Sequence, residues 1–140
     1  MLKVLAAIDG SILADRAVEH AVKLATKGTP IEVLLLHVQP EIVPWQTHGM
    51  AQDAIVAHRR ELSRRAAEIA ERVLQAADIR YQLRIETGDP AETITRVAGE
   101  QGSDLIVMGT RGMGAIESLV IGSVAYKVVH LAKAPVTLVK

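Results

Sequence analysis

Leu105-Ile106-Val107-Met108-Gly109-Thr110-Arg111-Gly112-Met113-Gly114-Ala115, with Gly122-Ser123 further along, is the stretch that decides how this chain folds. A short apolar run that breaks into glycines, and then into Gly-Ser ahead of a helical pattern, reads as a buried strand, a loop and a helix start. Glycines let backbone N–H groups approach an anion with no Cβ in the way. Ser123 falls where an N-cap is expected, so its hydroxyl and the free N–H groups of the first turn would face the same space as the loop. That is the outline of a phosphate cradle. A plainer reading, a long turn followed by a capped helix, fits the glycines taken alone.

Outward from this unit, strand and helix alternate along the whole chain. Leu2 to Ile8 is almost entirely apolar, as a central strand covered on both faces must be. Asp9-Gly10-Ser11 turns the chain, and Ala14, Ala17, Val18, Ala21, Val22 and Ala25 follow the spacing of one helix face up to Lys27-Gly28. Ile31 to Val38 is a second buried strand, and Pro40, Pro44 and Gly49 mark the loop after it. From about Met50 to Ala77 an amphipathic helix is expected, with Ile55, Leu62, Ala66, Ile69 and Val73 on its buried face and the i,i+4 pairs Glu61/Arg65 and Glu68/Arg72 outside. Arg80 to Glu86 alternates apolar and polar residues, the pattern of an edge strand with one solvated face. Asp89-Pro90-Ala91-Glu92 is a capping-box start for a helix to Gln101. Asp104 to Met108, Ser123 to Ala132 and Pro135 to Val139 complete the alternation.

The economical architecture is an α/β fold in one domain, residues 1–140: a single parallel five-stranded sheet in the order 3-2-1-4-5 with helices on both faces. In that order the connections of the first and fourth strands diverge, and a crevice opens at their C-terminal ends. Asp9 and Gly109 would both stand at its rim.

Composition narrows the function classes. Sixteen basic residues balance sixteen acidic ones, so no overall field draws the chain to nucleic acid or to an anionic membrane. The arginines after His58 are interrupted by Glu61, Glu68 and Glu71 and carry no aromatics, which reads as a solvated helix face. Cysteine is absent, which excludes disulfides and thiolate chemistry. No apolar run is long enough to span a bilayer, the first residues lack the cationic start of a signal peptide, and a cytoplasmic setting is the expectation. The histidines show no metal-site spacing. No Gly-x4-Gly-Lys-Ser/Thr occurs, nor a Gly-x-Gly-x-x-Gly after the first strand, which argues against a P-loop and a dinucleotide site.

The spacing Gly109-x2-Gly112-x9-Gly122-Ser123 resembles the nucleotide-binding signature of the ATP-binding branch of the universal stress protein family. Ile8-Asp9-Gly10-Ser11, Leu36-His37-Val38, Gly88-Asp89-Pro90 and Pro135 to Val139 resemble that family too. The resemblance implies a Rossmann-like fold that binds ATP, with Mg²⁺ carried in by the nucleotide. It implies phosphates on the backbone of Gly109, Thr110, Arg111, Gly112, Met113, Gly114 and Ala115 and on Gly122, Ser123, Val124 and Ala125. Ala7 and Val38 would line the base, Met108 would belong to the same nucleotide site, and Asp9 would lie against the adenosine part. It also implies a homodimer through the last strand, Val136, Thr137, Leu138 and Val139, whose exposed edge invites pairing.

Read from position alone, Asp9 either caps the first helix or bonds a ligand, and Arg111 either meets phosphate or stays solvated. Trp45 is either a lid residue or an anchor for its loop. Inside the loop Glu117 is the sole carboxylate, so no committed general base for hydrolysis is visible and turnover should be slow if it occurs. The function expected is a small nucleotide-dependent stress-response or regulatory module. The alternative is a dimeric interaction protein that binds no nucleotide.

Overall fold

The computed structural model describes residues 1–42, 48–112 and 120–140. Its elements are β1 (Leu2–Ile8), α1 (Ile12–Thr26), β2 (Ile31–Gln39), α2 (Gln52–Ala76), β3 (Tyr81–Thr87), α3 (Pro90–Gln101), β4 (Leu105–Gly109), α4 (Ser123–Leu131) and β5 (Val136–Val139). The strands form one parallel sheet in the order β3-β2-β1-β4-β5, as the alternation predicts. Period-two alternation along β1 feeds two cores. Val4, Ala6 and Ile8 pack with α1 and α2, while Leu5 and Ala7 pack with α3 and α4. The buried residues of both cores are aliphatic or alanine apart from Met108, so packing rests on branched side chains and close helix approach.

α2 buries a face rotated from the expected one, keeping Ala66 and, in part, Val73 but not Leu62 and Ile69. Ser63, Ala66, Ala67, Ala70 and Leu74 are buried, whereas Leu62 and Ile69 remain 45% and 50% exposed. The small residues let α2 approach the equally small Ala14, Ala17 and Ala21 of α1. Counting Ser63 as polar hides this face from a periodicity argument, because its hydroxyl is satisfied inside. The expected outer pairs do form, Arg65 to Glu61 at 3.0 Å and Arg72 to Glu68 at 2.5 Å.

β3 is an edge strand; on its polar side Gln82 is exposed as expected, while Arg84 and Glu86 are half-buried. Arg84 and Glu86 meet Arg96 and Glu100 of α3 in a four-membered set of ion pairs. Ile85, on the other side, is 48% exposed.

A buried polar cluster pins α2 to the end of β2. His37 Nδ1 lies 2.9 Å from Ser63 Oγ, which also accepts from Gln39 Nε2 at 2.7 Å. Gln39 donates again to the Arg59 carbonyl, and Arg59 Nε donates to Gln39 Oε1. Burial of the His37 ring lowers its pKa; Asp9 opposes this and Arg59 adds to it. The unfolded chain therefore binds the proton more readily, with a pKa of about 6.5. The contribution of His37 to stability is full above that value and is lost as pH falls toward the lower folded pKa. Thermal melts are expected to show stability falling from pH 7.5 to 5.5. That fall should flatten in His37→Asn, whose amide keeps a partner for Ser63; equal slopes in both proteins would contradict this.

Candidate nucleotide-type crevice

β1 and β4 are neighbours, and past their ends the chain runs into α1 on one face and toward α4 on the other. Between them opens a crevice of about 330 Å³. This is the place where diverging connections leave room for a ligand in an open parallel sheet.

One half is apolar. Ala7, Leu36, Val38, Ile94 and Met108 line it, with Pro90 at the start of α3. Of these, Ala7, Val38 and Met108 are among the residues expected there. Leu36, Pro90 and Ile94 are not, since only the packing of β2 and α3 beside β1 brings them in. The signal for Pro90 was present, because a helix start after a parallel strand stands at the same C-terminal rim as Asp9 and Gly109.

The other half is polar. Asp9, Gly109, Arg111, Gly112, Gly122, Ser123, Val124 and Ala125 all reach it, with Ser11 beside Asp9. Thr110 does not line it. Its carbonyl accepts from Gly122 N at 2.6 Å and its N–H donates to the Val139 carbonyl at 2.9 Å, tying the two ends of the glycine loop to each other and to β5. Thr110 Oγ1 is buried with no hydrogen-bond partner among the described residues. Met113, Gly114, Ala115 and Glu117 of the loop, and Trp45 after β2, lie outside the described residues.

Two capping expectations shift by local hydrogen bonding. Asp9 does not cap α1. Ser11 does, its Oγ accepting from Ala14 N at 3.2 Å, while Asp9 Oδ1 accepts from Ser11 N at 2.9 Å. Asp9 thus has a bond to the turn that fixes its carboxylate toward the crevice. Its charge is felt nearby, since Asp15 has a raised pKa, from burial first and then from repulsion by Asp9 and Glu19. Nor is Ser123 the cap of α4. The bond from Gly122 N to Thr110 O sets the turn one residue earlier, Gly122 becomes the N-cap and Ser123 the first helical residue. Gly122 brings no side chain to cap this end, and none caps it among the described residues. The N–H groups of Ser123, Val124 and Ala125 therefore present the positive end of α4 to the crevice.

Two glycines owe their identity to close approach. A Cβ on Gly112 would stand 2.5 Å from Asp9 Oδ2, so only glycine brings this backbone against that carboxylate undisturbed. A Cβ on Gly109 would stand 2.8 Å from Leu13 Cβ and 3.0 Å from the Leu13 carbonyl carbon, so Gly109 is the seat of α1 on the end of β4.

On the far rim, Asp89 caps α3 by accepting from Glu92 N at 3.0 Å. Lys127 of α4 donates to the same Asp89 oxygen at 3.2 Å.

A crevice with an aliphatic half, a held carboxylate and a helix start with a glycine N-cap suits a ligand with a flat uncharged part and an anionic tail. Comparison with known proteins places the chain among relatives. The model of the Universal stress protein family matches residues 1–140. A universal stress protein of Thermus aquaticus is 35% identical over 137 residues, covering 98% of this chain and 97% of the relative. Universal stress protein YxiE of Bacillus subtilis is 32% identical, with 99% and 98% covered. The solved structure of MJ0577 from Methanocaldococcus jannaschii superimposes with a TM-score of 0.80 at 27% identity, covering 99% of this chain and 95% of that one. Two solved structures similar in fold hold adenine nucleotides, a universal stress protein in complex with cAMP (TM-score 0.72, 23% identity) and an Arabidopsis thaliana family protein with AMP bound (TM-score 0.68, 22% identity). The chain belongs to the universal stress protein family.

Proposed function

We infer that the crevice binds an adenine nucleotide, ATP in the first instance, and that the chain works as a nucleotide-loaded regulatory module of the stress-response type. The observation that carries this is the meeting, in one crevice, of the Asp9–Gly112 contact with the start of α4, whose N-cap is a glycine. The aliphatic half offers Leu36, Val38, Ile94 and Met108 to a base by packing. Asp9, oriented by Ser11, accepts from the sugar. The N–H groups of Ser123, Val124 and Ala125 take phosphate oxygens, with the Arg111 guanidinium beside them. The nucleotide brings a polyanion able to carry its own Mg²⁺. The family structures holding cAMP and AMP are consistent with an adenine ligand.

Turnover should be slow. Asp9 is the carboxylate among the described lining residues, and its Oδ1 accepts from the Ser11 N–H, which holds it in the crevice wall; no further carboxylate or histidine is among them. A rate near the ordinary enzyme value of about 10 per second would contradict this reading.

Calorimetric titration of nucleotide-free protein with ATP is the test, with micromolar binding expected. No heat up to about 1 mM ATP, an affinity too weak to be specific, would remove nucleotide from the account and favour an interaction protein.

The same reading includes a homodimer. β5 closes one edge of the sheet, and Val136, Thr137, Leu138 and Val139 are only half-buried. Tyr126 and Val129 of α4 are 68% and 51% exposed. Pairing of β5 with its copy across a two-fold axis would cover that edge. Light scattering should give twice the chain mass of 15.1 kDa; a species of 15.1 kDa at micromolar concentration would contradict it.

A further inference from the structure

The first turns of α3 and α4 both border the crevice, through Pro90 and Ile94 on one side and Ser123, Val124 and Ala125 on the other. Lys127, one turn into α4, spans the two helices. Its ammonium lies 3.2 Å from Asp89 Oδ2 and 3.5 Å from Glu92 Oε1. Asp89 Oδ2 is the oxygen that caps α3, and the next residue, Pro90, lines the crevice. The Asp89 carboxylate therefore stands next to a lining residue, and Glu92, which lines a neighbouring groove with Thr95 and Arg96, adds a second negative charge beside Lys127. Left uncompensated they would oppose an anionic ligand, and more strongly with each charge it carries.

The Lys127–Asp89 pair is 45% and 44% exposed, so as a stabilising contact it contributes little. Its placement matters more than its strength. The Glu92 N–H and then Lys127 hold the Asp89 carboxyl below its usual range, and Asp89 in turn raises the Lys127 ammonium, so both are charged throughout the neutral range. Lys127 is not itself among the lining residues.

We propose that Lys127 is a positioning residue that sets the charge preference of the crevice, offsetting Asp89 and Glu92 so that the rim accepts a ligand with several phosphates. The inference rests on the nucleotide reading above. It assigns to α3 a control over ligand class: base and sugar are indifferent to Lys127, while each added phosphate depends on it more.

The test compares wild type, Lys127→Arg, Lys127→Met and the triple variant Lys127→Met/Asp89→Asn/Glu92→Gln. Each is titrated calorimetrically with adenosine, AMP and ATP, at about 50 mM and about 300 mM salt, which spans strong and weak screening. Lys127→Met should weaken ATP about tenfold, AMP about threefold and adenosine less than about twofold at low salt, with the differences shrinking at high salt. Lys127→Arg should match wild type. The triple variant retains an Asn cap for α3 and should recover ATP affinity, because the charges Lys127 offsets are gone. An equal loss for all three ligands, or a loss the triple variant does not recover, would overturn the proposal and leave Lys127 a packing element. Wild-type protein that binds adenosine and ATP equally well at both salts would overturn it too. Wild-type protein that binds none of the three would instead overturn the nucleotide reading on which it rests.

Discussion

Gly112→Val is expected to weaken ATP binding by about tenfold to a hundredfold while leaving the fold in place. A Cβ at this position falls 2.5 Å from Asp9 Oδ2, and the atom it meets is the end of a side chain that can swing aside. The backbone is therefore relieved by moving Asp9. That displacement breaks the 2.9 Å bond from Ser11 N and takes the carboxylate from its position on the crevice wall. Overpacking of this kind costs about 1–3 kcal/mol. Here the cost falls on the binding-competent arrangement, and about 1.4 kcal/mol corresponds to tenfold in affinity. The measurement is a pair of experiments on one variant, calorimetric ATP affinity and the thermal midpoint. Lost affinity with a nearly unchanged midpoint is the expected pattern. Unchanged affinity would show that the contact between Gly112 and Asp9 has no part in the site.

Gly109→Ala should do the reverse. The methyl group would meet Leu13 Cβ at 2.8 Å, the Leu13 carbonyl carbon at 3.0 Å and Ala14 N at 3.2 Å, and two of those three atoms are backbone of α1. No rotamer change relieves that contact. Either α1 lifts from the end of β4 or β4 shifts in the sheet, and both disturb the core that Ala14, Ala17 and Val18 share with Val107. A destabilisation of about 1–3 kcal/mol follows, roughly 3–10 °C in the melting midpoint for a chain of this size. Binding at a temperature where the variant remains folded should change far less than in Gly112→Val. A midpoint equal to wild type would contradict the packing role given to Gly109.

These two glycines show where the sequence is legible and where it stops. Both belong to one spacing pattern, and the pattern places both at a ligand-type loop. Why each is glycine depends on partners far off along the chain, Asp9 in one case and Leu13 in the other, and local spacing holds no record of them. The sheet order is easier to read. The run Leu2–Ile8 needs cover on both faces and β3 alternates as an edge does, which leaves few right-handed arrangements.

α2 was less legible, because hydrophobicity and burial separate there. Leu62 and Ile69 are larger and more apolar than Ala67 and Ala70, yet the alanines are buried, since closeness to α1 is set by small side chains. The caps at Ser11 and Gly122 each differ by one hydrogen bond from the simplest expectation, the bonds being Asp9 Oδ1 with Ser11 N and Thr110 O with Gly122 N. Within the candidate site, the residues drawn from β1, β4 and the start of α4 were legible from the cradle motif and the sheet order. Pro90 was legible only as a helix start at the same rim, and Ile94 was not, because α3 brings it to the crevice through its packing beside the sheet and α4.

The central claim is that an adenine nucleotide sits between the end of β1, the glycine loop and the start of α4. The most direct test is a titration of ¹⁵N-labelled, nucleotide-free protein with ATP, followed residue by residue in amide correlation spectra. The account predicts saturable shifts concentrated at Asp9, Gly109, Arg111, Gly112 and Ser123 to Ala125, with little change along α2. Spectra that do not move, or shifts centred on α2 with the crevice amides unmoved, would contradict it.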